Sequence, residues 1–500
     1  MSVEEKLKLL KEELEKIGKL NSSLALISWD MQTKMPKKAI EQRSAIIEYL
    51  AGEMFLLKTS DKMGAITEEL LNNKDSMDDV QRAMVKLARK EYDETKKIPE
   101  QRYREFIMAA AISGNAWHEA KVNKDFEIFK PHLKKMIDFK REFVEYLGYD
   151  NNKYDTLLNQ FEEGLTVEKL DKIFEEMKIG ILELLEKIKK GNKKVNKDFL
   201  LGYFDKEPQE RFSNFVLKKL GYDFEAGRID ESEHPFTTSF GNKDVRVTTN
   251  YNNPELTYAL FSAIHEGGHG IYEQDIPDEF VWTGLDSSLA MSIHESQSRF
   301  YENLIGRSKE FWEYFLDYAK YEFKELKDVS LEEFYEAINV VEPTLIRTEA
   351  DELTYNLHII IRYEIEKDLI NGVLDIDDVR EAWNNKYKEY LGICPSNDSE
   401  GILQDIHWSD GSFGYFPSYS LGNLYGAQML NKMKKDYKDM YLDIKNGEFS
   451  KVHNWLNDNV HKYGAVYSPS ELIKKITGEE LNPKYFLDYI NEKYKKIYLQ

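Results

Sequence analysis

The chain has 500 residues, of which 41% are hydrophobic, 13% aromatic and 32% charged, which excludes a disordered chain and allows a large core. Its formal net charge of -21 excludes nucleic acid as a partner, because phosphate binding needs a basic face. It also requires any anion-binding site to supply its own cations.

In chain order, the first residues, Met1 to Lys6, already include the charged Glu4, Glu5 and Lys6 and carry no apolar core of signal-peptide length. No stretch approaches the ~18 continuous apolar residues of a membrane span. A soluble, cytoplasmic protein with no membrane partner is expected. Residues 3–20 place Val3, Leu7, Leu10, Leu14 and Ile17 close to helical spacing. Similar patterns predict amphipathic helices over 40–57, 79–95, 126–147, 167–189, 309–327 and 331–341. The polar breaks at 72–75 and at Gly191-Asn192-Lys193-Lys194 read as helix connections, and the Lys-rich stretch near 184–198 as a solvated helix end. Pro and Gly are too scattered to mark a linker and no internal repeat is evident, so residues 1–500 read as a single domain.

Residues 234–250 break the helical rule. β-branched and aromatic residues flank Gly241-Asn242, a hairpin signal. After the turn, Asp244, Arg246 and Thr248 alternate with Val245 and Val247, so the polar groups share one face. A helix follows, with Asn253 as cap, Pro254 at its first position, and Leu256, Leu260, Phe261 and Ile264 on its buried face.

That helix carries His265-Glu266-Gly267-Gly268-His269. Histidines at i and i+4 lie on one face, and their imidazoles reach a common metal ion at ~2.0–2.1 Å. Glu266 reaches the reacting water without ligating and serves as general base. The motif alone arises by chance in roughly 2% of such chains. Further features strengthen it. Gly267, Gly268 and Gly270 inside a helix each cost ~1 kcal/mol relative to Ala, which points to a close approach by another backbone or a ligand. Glu295, in His294-Glu295-Ser296-Gln297-Ser298-Arg299, is a third ligand 26 residues after His269 (295 − 269), in a second helical stretch marked by Leu289, Met291 and Ile293. Two histidines and a carboxylate leave the fourth position of a tetrahedral zinc open. The alternative, a di-iron bundle, needs a second Glu-x-x-His element. Glu231-Ser232-Glu233-His234 has the spacing, but Pro235 disfavours helix there. Near the C-terminal third, the lone Cys394 excludes an internal disulfide and is expected as a buried structural thiol.

Six further motifs accompany this one in order. They are Trp29-Asp30-Met31-Gln32-Thr33-Lys34-Met35-Pro36, His234-Pro235-Phe236, Asp244-Val245-Arg246-Val247-Thr248, His294-Glu295-Ser296-Gln297, Ile346-Arg347-Thr348-Glu349-Ala350-Asp351, and Gly401-Ile402-Leu403-Gln404-Asp405-Ile406-His407-Trp408. With them the chain resembles the M32 metallocarboxypeptidases, the carboxypeptidase Taq family, from about residue 25 to the C-terminus. The resemblance implies a mainly α fold: an elongated helical zincin, similar to neurolysin and angiotensin-converting enzyme, with a deep cleft and a small antiparallel sheet. The N-terminal helices, about 1–110, would form part of the cleft rim. It implies hydrolysis of the last peptide bond of peptides with a free C-terminal carboxylate, using zinc with cobalt as a substitute, in a homodimer.

In the related families a Tyr after a His supplies donors to the charged intermediate. Tyr419 is the candidate here, because Tyr419 and Gln428 have the spacing of a Tyr…Gln pair found there. Tyr415 is second, and His407 assists. Arg347 is the candidate for the terminal carboxylate, since a guanidinium grips it bidentately, with Arg246 and His234 in support. The other reading of Arg347 is an ion pair with Glu349 or Asp351. Two rival functions share the residues: an endo-oligopeptidase of the same fold, and a non-catalytic helical metal-binding scaffold.

Overall fold

A computed structural model describes residues 1–191, 193–286 and 290–499. Asn192 and Leu289, both used above, lie outside the described residues. The elements are α1 (Val3–Thr33), α2 (Ile40–Lys58), α3 (Asp61–Leu71), α4 (Asp79–Lys97), α5 (Glu100–Asn123), α6 (Phe126–Leu147), α7 (Lys153–Phe161), α8 (Val167–Lys190) and α9 (Lys206–Leu220). Strands β1 (Gly227–Glu231), β2 (Thr237–Ser239) and β3 (Val245–Thr249) follow. Then come α10 (Leu256–Gln274), α11 (Met291–Arg299), α12 (Lys309–Glu322), α13 (Leu331–Ala337), α14 (Tyr355–Asn371), α15 (Val379–Tyr390), α16 (His407–Asp410) and α17 (Pro417–Asp436). The chain ends with α18 (Met440–Lys445), α19 (Ser450–Asn459), α20 (Pro469–Thr477) and α21 (Lys484–Tyr498).

The predicted helices are present, because apolar spacing near 3.6 residues builds a stripe that must be buried. In α6 the stripe is Phe129, Leu133, Met136, Ile137, Phe143 and Val144. Buried apolar side chains form one contiguous cluster from Leu10 to Tyr498. Helix α2 differs from its amphipathic reading. None of its residues is buried, and Ile40, Ile46, Tyr49 and Leu56 are exposed. Cys394 also differs. It is exposed, since it lies in the connection between α15 and α16, and connections run over the surface.

The hairpin at Gly241-Asn242 is the antiparallel β2–β3 pair. A third strand, β1, joins β3 in parallel and gives the order β1-β3-β2. Its sequence, Gly-Arg-Ile-Asp-Glu, has one β-branched residue, Ile229, and no aromatic one, too few to announce a strand. Val245 and Val247 are buried as the alternation requires, but Thr248 is also buried, bonded through Oγ1 to Ser232 Oγ at 2.6 Å and to Phe236 N at 2.9 Å. Helix α1 covers Arg246, whose guanidinium lies 4.7 Å over the Trp29 ring.

Helix α10 begins two residues later than its cap signals suggested. Glu255 is still extended (φ -106, ψ 120) because its backbone bridges to Leu201, and Asn253 instead accepts from Glu255 N at 2.9 Å. Helices α10, α11 and α17 form the centre that positions the site. Gly268 lets α10 touch the α11 backbone, where a Cβ would lie 2.8 Å from Gln297 O. Gly422 does the same for α17, where a Cβ would lie 2.6 Å from Glu295 Cγ.

Candidate active site

His265, Glu266 and His269 lie on α10 and Glu295 on α11. His265 Nε2 is 3.6 Å and His269 Nε2 is 3.4 Å from Glu295 Oε2. These spacings are close to the ~3.3 Å edge of a tetrahedron with ~2.0–2.1 Å bonds. Two imidazole nitrogens and a carboxylate oxygen therefore fit one divalent ion, and the three ligand atoms all lie within 4.8 Å of one another. The other potential group, Asp275 with His453 and His461, has Asp275 Oδ2 at 2.7 Å from each ring, a hydrogen-bond spacing too short for ligands of one ion. His461 Nε2 in turn lies 2.9 Å from Gln297 Oε1 and ties α11 to the C-terminal segment.

The ligands are held from behind. Arg299 donates Nε to Glu295 Oε1 at 2.7 Å and Nη1 to Glu302 Oε2 at 3.2 Å. Glu302 sits in a π-helical turn, Phe300–Ile305, directly after α11, and its Oε2 is 2.9 Å from His265 Nδ1. Such turns are frequent at functional sites because they re-aim side chains. Burial works against the charge of Glu302, but Arg299 and His265 outweigh it and hold its carboxyl at about 2. Burial likewise opposes Glu295, and Arg299 and His265 hold it well below the carboxylate range. Burial and then His294 lower His269 to about 3, so its ring is neutral and free to ligate. Glu266 is pushed up by burial, with His265 and Thr237 opposing. The Thr237 hydroxyl on β2 lies 2.6 Å from Glu266 Oε2 and fixes its direction.

Arg347, His407, Tyr415 and Tyr419 form a second group. Arg347 opens a short 3-10 turn (Arg347–Glu349), His407 opens α16, and Tyr419 is in the first turn of α17. His407 Nε2 is 3.1 Å from the Tyr419 hydroxyl. The Arg347 guanidinium lies 4.8 Å over the Tyr419 ring, and the Tyr415 and Tyr419 rings meet edge to face at 5.2 Å. Arg347 is ion-paired, but with Asp405 at 2.8 Å rather than with Glu349 or Asp351. Arg362, fully buried, shares that carboxylate at 2.6 Å, so two cations face one anion. Burial lowers His407 to about 4, with Asp405 opposing and Arg347 adding.

Tyr355 joins the two groups. Arg299 stacks over its ring at 4.3 Å, and its hydroxyl accepts from Arg347 Nη1 at 3.1 Å. Tyr419 also precedes Gly422 by three residues, so it shares the α17 face that packs on Glu295. A buried carboxyl, Glu366, sets the segment bearing His407 and Tyr415 by accepting from Tyr154 Oη (2.5 Å), Trp408 Nε1 (2.7 Å) and Gly414 N (2.8 Å).

Three named residues stand apart. Arg246 makes a bidentate pair with Asp244 at 2.8 Å, and His234 lies exposed between β1 and β2. Neither shares a hydrogen bond or ring contact with the two groups among the described residues. Gln428 faces the C-terminal segment, donating to Thr477 Oγ1 at 3.0 Å. Glu231 ends a strand, so Glu231 to His234 is not a helical Glu-x-x-His element. Sequence reasoning missed Thr237, Glu302, Asp405 and Arg362. Only for Asp405 was a signal present, as a motif neighbour of His407.

The family model described as carboxypeptidase Taq (M32) metallopeptidase matches residues 9–494. Carboxypeptidase 1 of Bacillus subtilis is 44% identical over 487 residues, 97% of either chain. Thermostable carboxypeptidase 1 of Thermus thermophilus is 37% identical over 486 residues, 95% of either chain. The solved structure of a Pyrococcus furiosus carboxypeptidase superposes with a TM-score of 0.95 at 35% identity, covering 98% of this chain and 99% of that one.

Proposed function

The chain belongs to the carboxypeptidase Taq (M32) metallopeptidase family and is a metallocarboxypeptidase, and from that premise we propose that it holds zinc at His265, His269 and Glu295 and hydrolyses the C-terminal bond of peptides with broad specificity. When bound, the ion supplies Lewis-acid chemistry, lowering the pKa of a water toward ~7 and polarising the scissile carbonyl.

Glu266 takes the proton of the attacking water and delivers it to the leaving amine. Its carboxyl is raised by burial, which suits a group that must both accept and return a proton, and Thr237 aims it. The Tyr419 hydroxyl donates to the oxygen that gains charge in the transition state. His407, neutral near neutral pH, backs that hydroxyl, and Tyr415 lines the same end. Arg347 takes the terminal carboxylate. The two guanidiniums of Arg347 and Arg362 exceed Asp405 by one charge, and that excess supplies the local cation an acidic protein must provide. Arg246 on β3 and His234 between β1 and β2 are the supporting groups of Arg347 for the terminal carboxylate.

Cobalt substitutes for zinc in this reading, because imidazole and carboxylate ligands suit several divalent ions. Residues 1–500 act as one catalytic domain, with the helices of about 1–110 on the cleft rim, and the Trp29–Arg246 contact supports that placement. The enzyme works in the cytoplasm as a homodimer, for which the uncovered apolar side chains of α2 offer a matching surface.

The observation that carries the reading is the ligand triangle with Glu266 between its two histidines on one helix. The test is release of free amino acid from a blocked dipeptide ending in Ala or Arg, and from its amide. Activity should vanish with chelator, return with zinc and fail on the amide. Cleavage of the amide would make it an endo-oligopeptidase. No turnover with any metal would reduce the site to structure.

A further inference from the structure

The outward nitrogens of the two candidate ligands meet different partners. His265 Nδ1 meets a carboxylate, Glu302 Oε2, at 2.9 Å. His269 Nδ1 meets the Nδ1 of another histidine, His294. The far nitrogen of His294, Nε2, lies 2.7 Å from Glu273 Oε1. The two imidazoles stack, with centroids 4.4 Å apart and planes 29° from parallel. Tyr272 closes over His294 edge to face at 5.2 Å. Glu273 follows His269 by four residues, so His265, His269 and Glu273 line one face of α10.

The order of hydrogen bonds determines where each proton lies. An ionised carboxylate only accepts, so His294 Nε2 carries a proton toward Glu273. With the ring proton on Nε2, His294 Nδ1 is an acceptor, and His269 Nδ1 is then the donor. His269 Nε2, the atom 3.4 Å from Glu295 Oε2, keeps its lone pair. The opposite arrangement, with the proton on His294 Nδ1, would place the proton of His269 on Nε2, aimed at the cluster, where it blocks ligation.

We propose that Glu273 and His294 form a relay that sets the tautomer and ring direction of His269 and thereby the affinity of the site for its ion. Both are positioning residues acting through His269. The proposal rests on reading His265, His269 and Glu295 as the metal site. It also makes the two histidine ligands unequal, since His265 is backed directly by a carboxyl group and His269 by an imidazole with the carboxyl group one residue further out.

The experiment is zinc competition against a chromophoric chelator, with thermal unfolding of each metal-free protein as a control for folding. Glu273→Leu removes the acceptor and His294→Phe removes both nitrogens. Each is expected to weaken zinc binding about 10–100-fold, the range seen when outer partners of ligands are lost, while the metal-free melting changes little. Glu273→Gln keeps an acceptor oxygen and should fall between them and the parent. Parent-like zinc affinity in Glu273→Leu and His294→Phe overturns the relay. If those variants do not fold, ring nitrogen NMR of the zinc-loaded parent decides: His294 must be protonated at Nε2 and not at Nδ1, and the reverse tautomer overturns the proposal. A parent that binds no zinc would instead overturn the metal reading beneath it.

Discussion

Replacing Gly268 by alanine would place a methyl group 2.8 Å from Gln297 O and 2.8 Å from Ser298 Cα. Ordinary contact begins at 3.4 Å, so the helices must part by 0.6 Å (3.4 − 2.8). Both atoms are backbone, and neither can rotate away. Because α10 carries His265 and His269 and α11 carries Glu295, this parting stretches the 3.4 and 3.6 Å ligand edges toward about 4 Å. Metal–ligand distances tolerate only ~0.2 Å. The overpacking costs ~1–3 kcal/mol and is offset by the ~1 kcal/mol helix preference of Ala over Gly, so net destabilisation is about 2 kcal/mol or less. Zinc affinity should nonetheless fall about 10–100-fold. Gly267→Ala is the matched control. It gains the same helix preference, but its methyl meets the flexible end of Leu217 on α9, 2.4 Å away at Cδ2. Chelator competition and thermal unfolding on both variants separate the effects. If Gly268→Ala binds zinc as tightly as Gly267→Ala, the argument that this glycine sets the ligand triangle is wrong.

Three more outcomes are expected. Glu266→Gln should keep its fold and its zinc while kcat falls about 10²–10⁴-fold, and a variant with parent-like kcat would place the base elsewhere. Tyr419→Phe removes the hydroxyl beside His407 Nε2 and should lower kcat about 10²–10³-fold with KM little altered, so an unchanged kcat refutes its role as oxyanion donor. Glu366 is raised from 4.5 to about 7 by burial, against the hydrogen bonds of Tyr154, Gly414 and Trp408, so the folded state holds its proton more tightly than the unfolded state. Its contribution is therefore full below about pH 4.5 and is lost, by about 3 kcal/mol, as pH rises through about 7. Urea unfolding at about pH 5 and about pH 8 should show a smaller fall in Glu366→Gln than in the parent, and equal falls would contradict it.

The sequence by itself determined what local periodicity encodes. Helical spacing of apolar residues marked α6 and α8 almost to the residue, and the β2–β3 hairpin followed from Gly241-Asn242 between strand-forming residues. His265, Glu266 and His269 were legible for the same reason, since i to i+4 spacing on a helix is itself a geometry. Glu295, Arg347 and His407 came from motifs, and Tyr419 from its spacing to Gln428, whose order along the chain was visible but whose juxtaposition was not. Tertiary structure alone decided the partners. Asp405 lies 58 residues from Arg347 and binds it together with Arg362, and Glu302 reaches His265 only because a π-helical turn follows α11. It also decided why Gly268 is a glycine, and that the apolar face of α2 stays uncovered and Cys394 exposed. The reason is physical. Local spacing fixes which face a residue occupies, whereas the group opposite that face depends on how distant helices pack, and charged pairs, ligand triangles and close approaches exist only between faces.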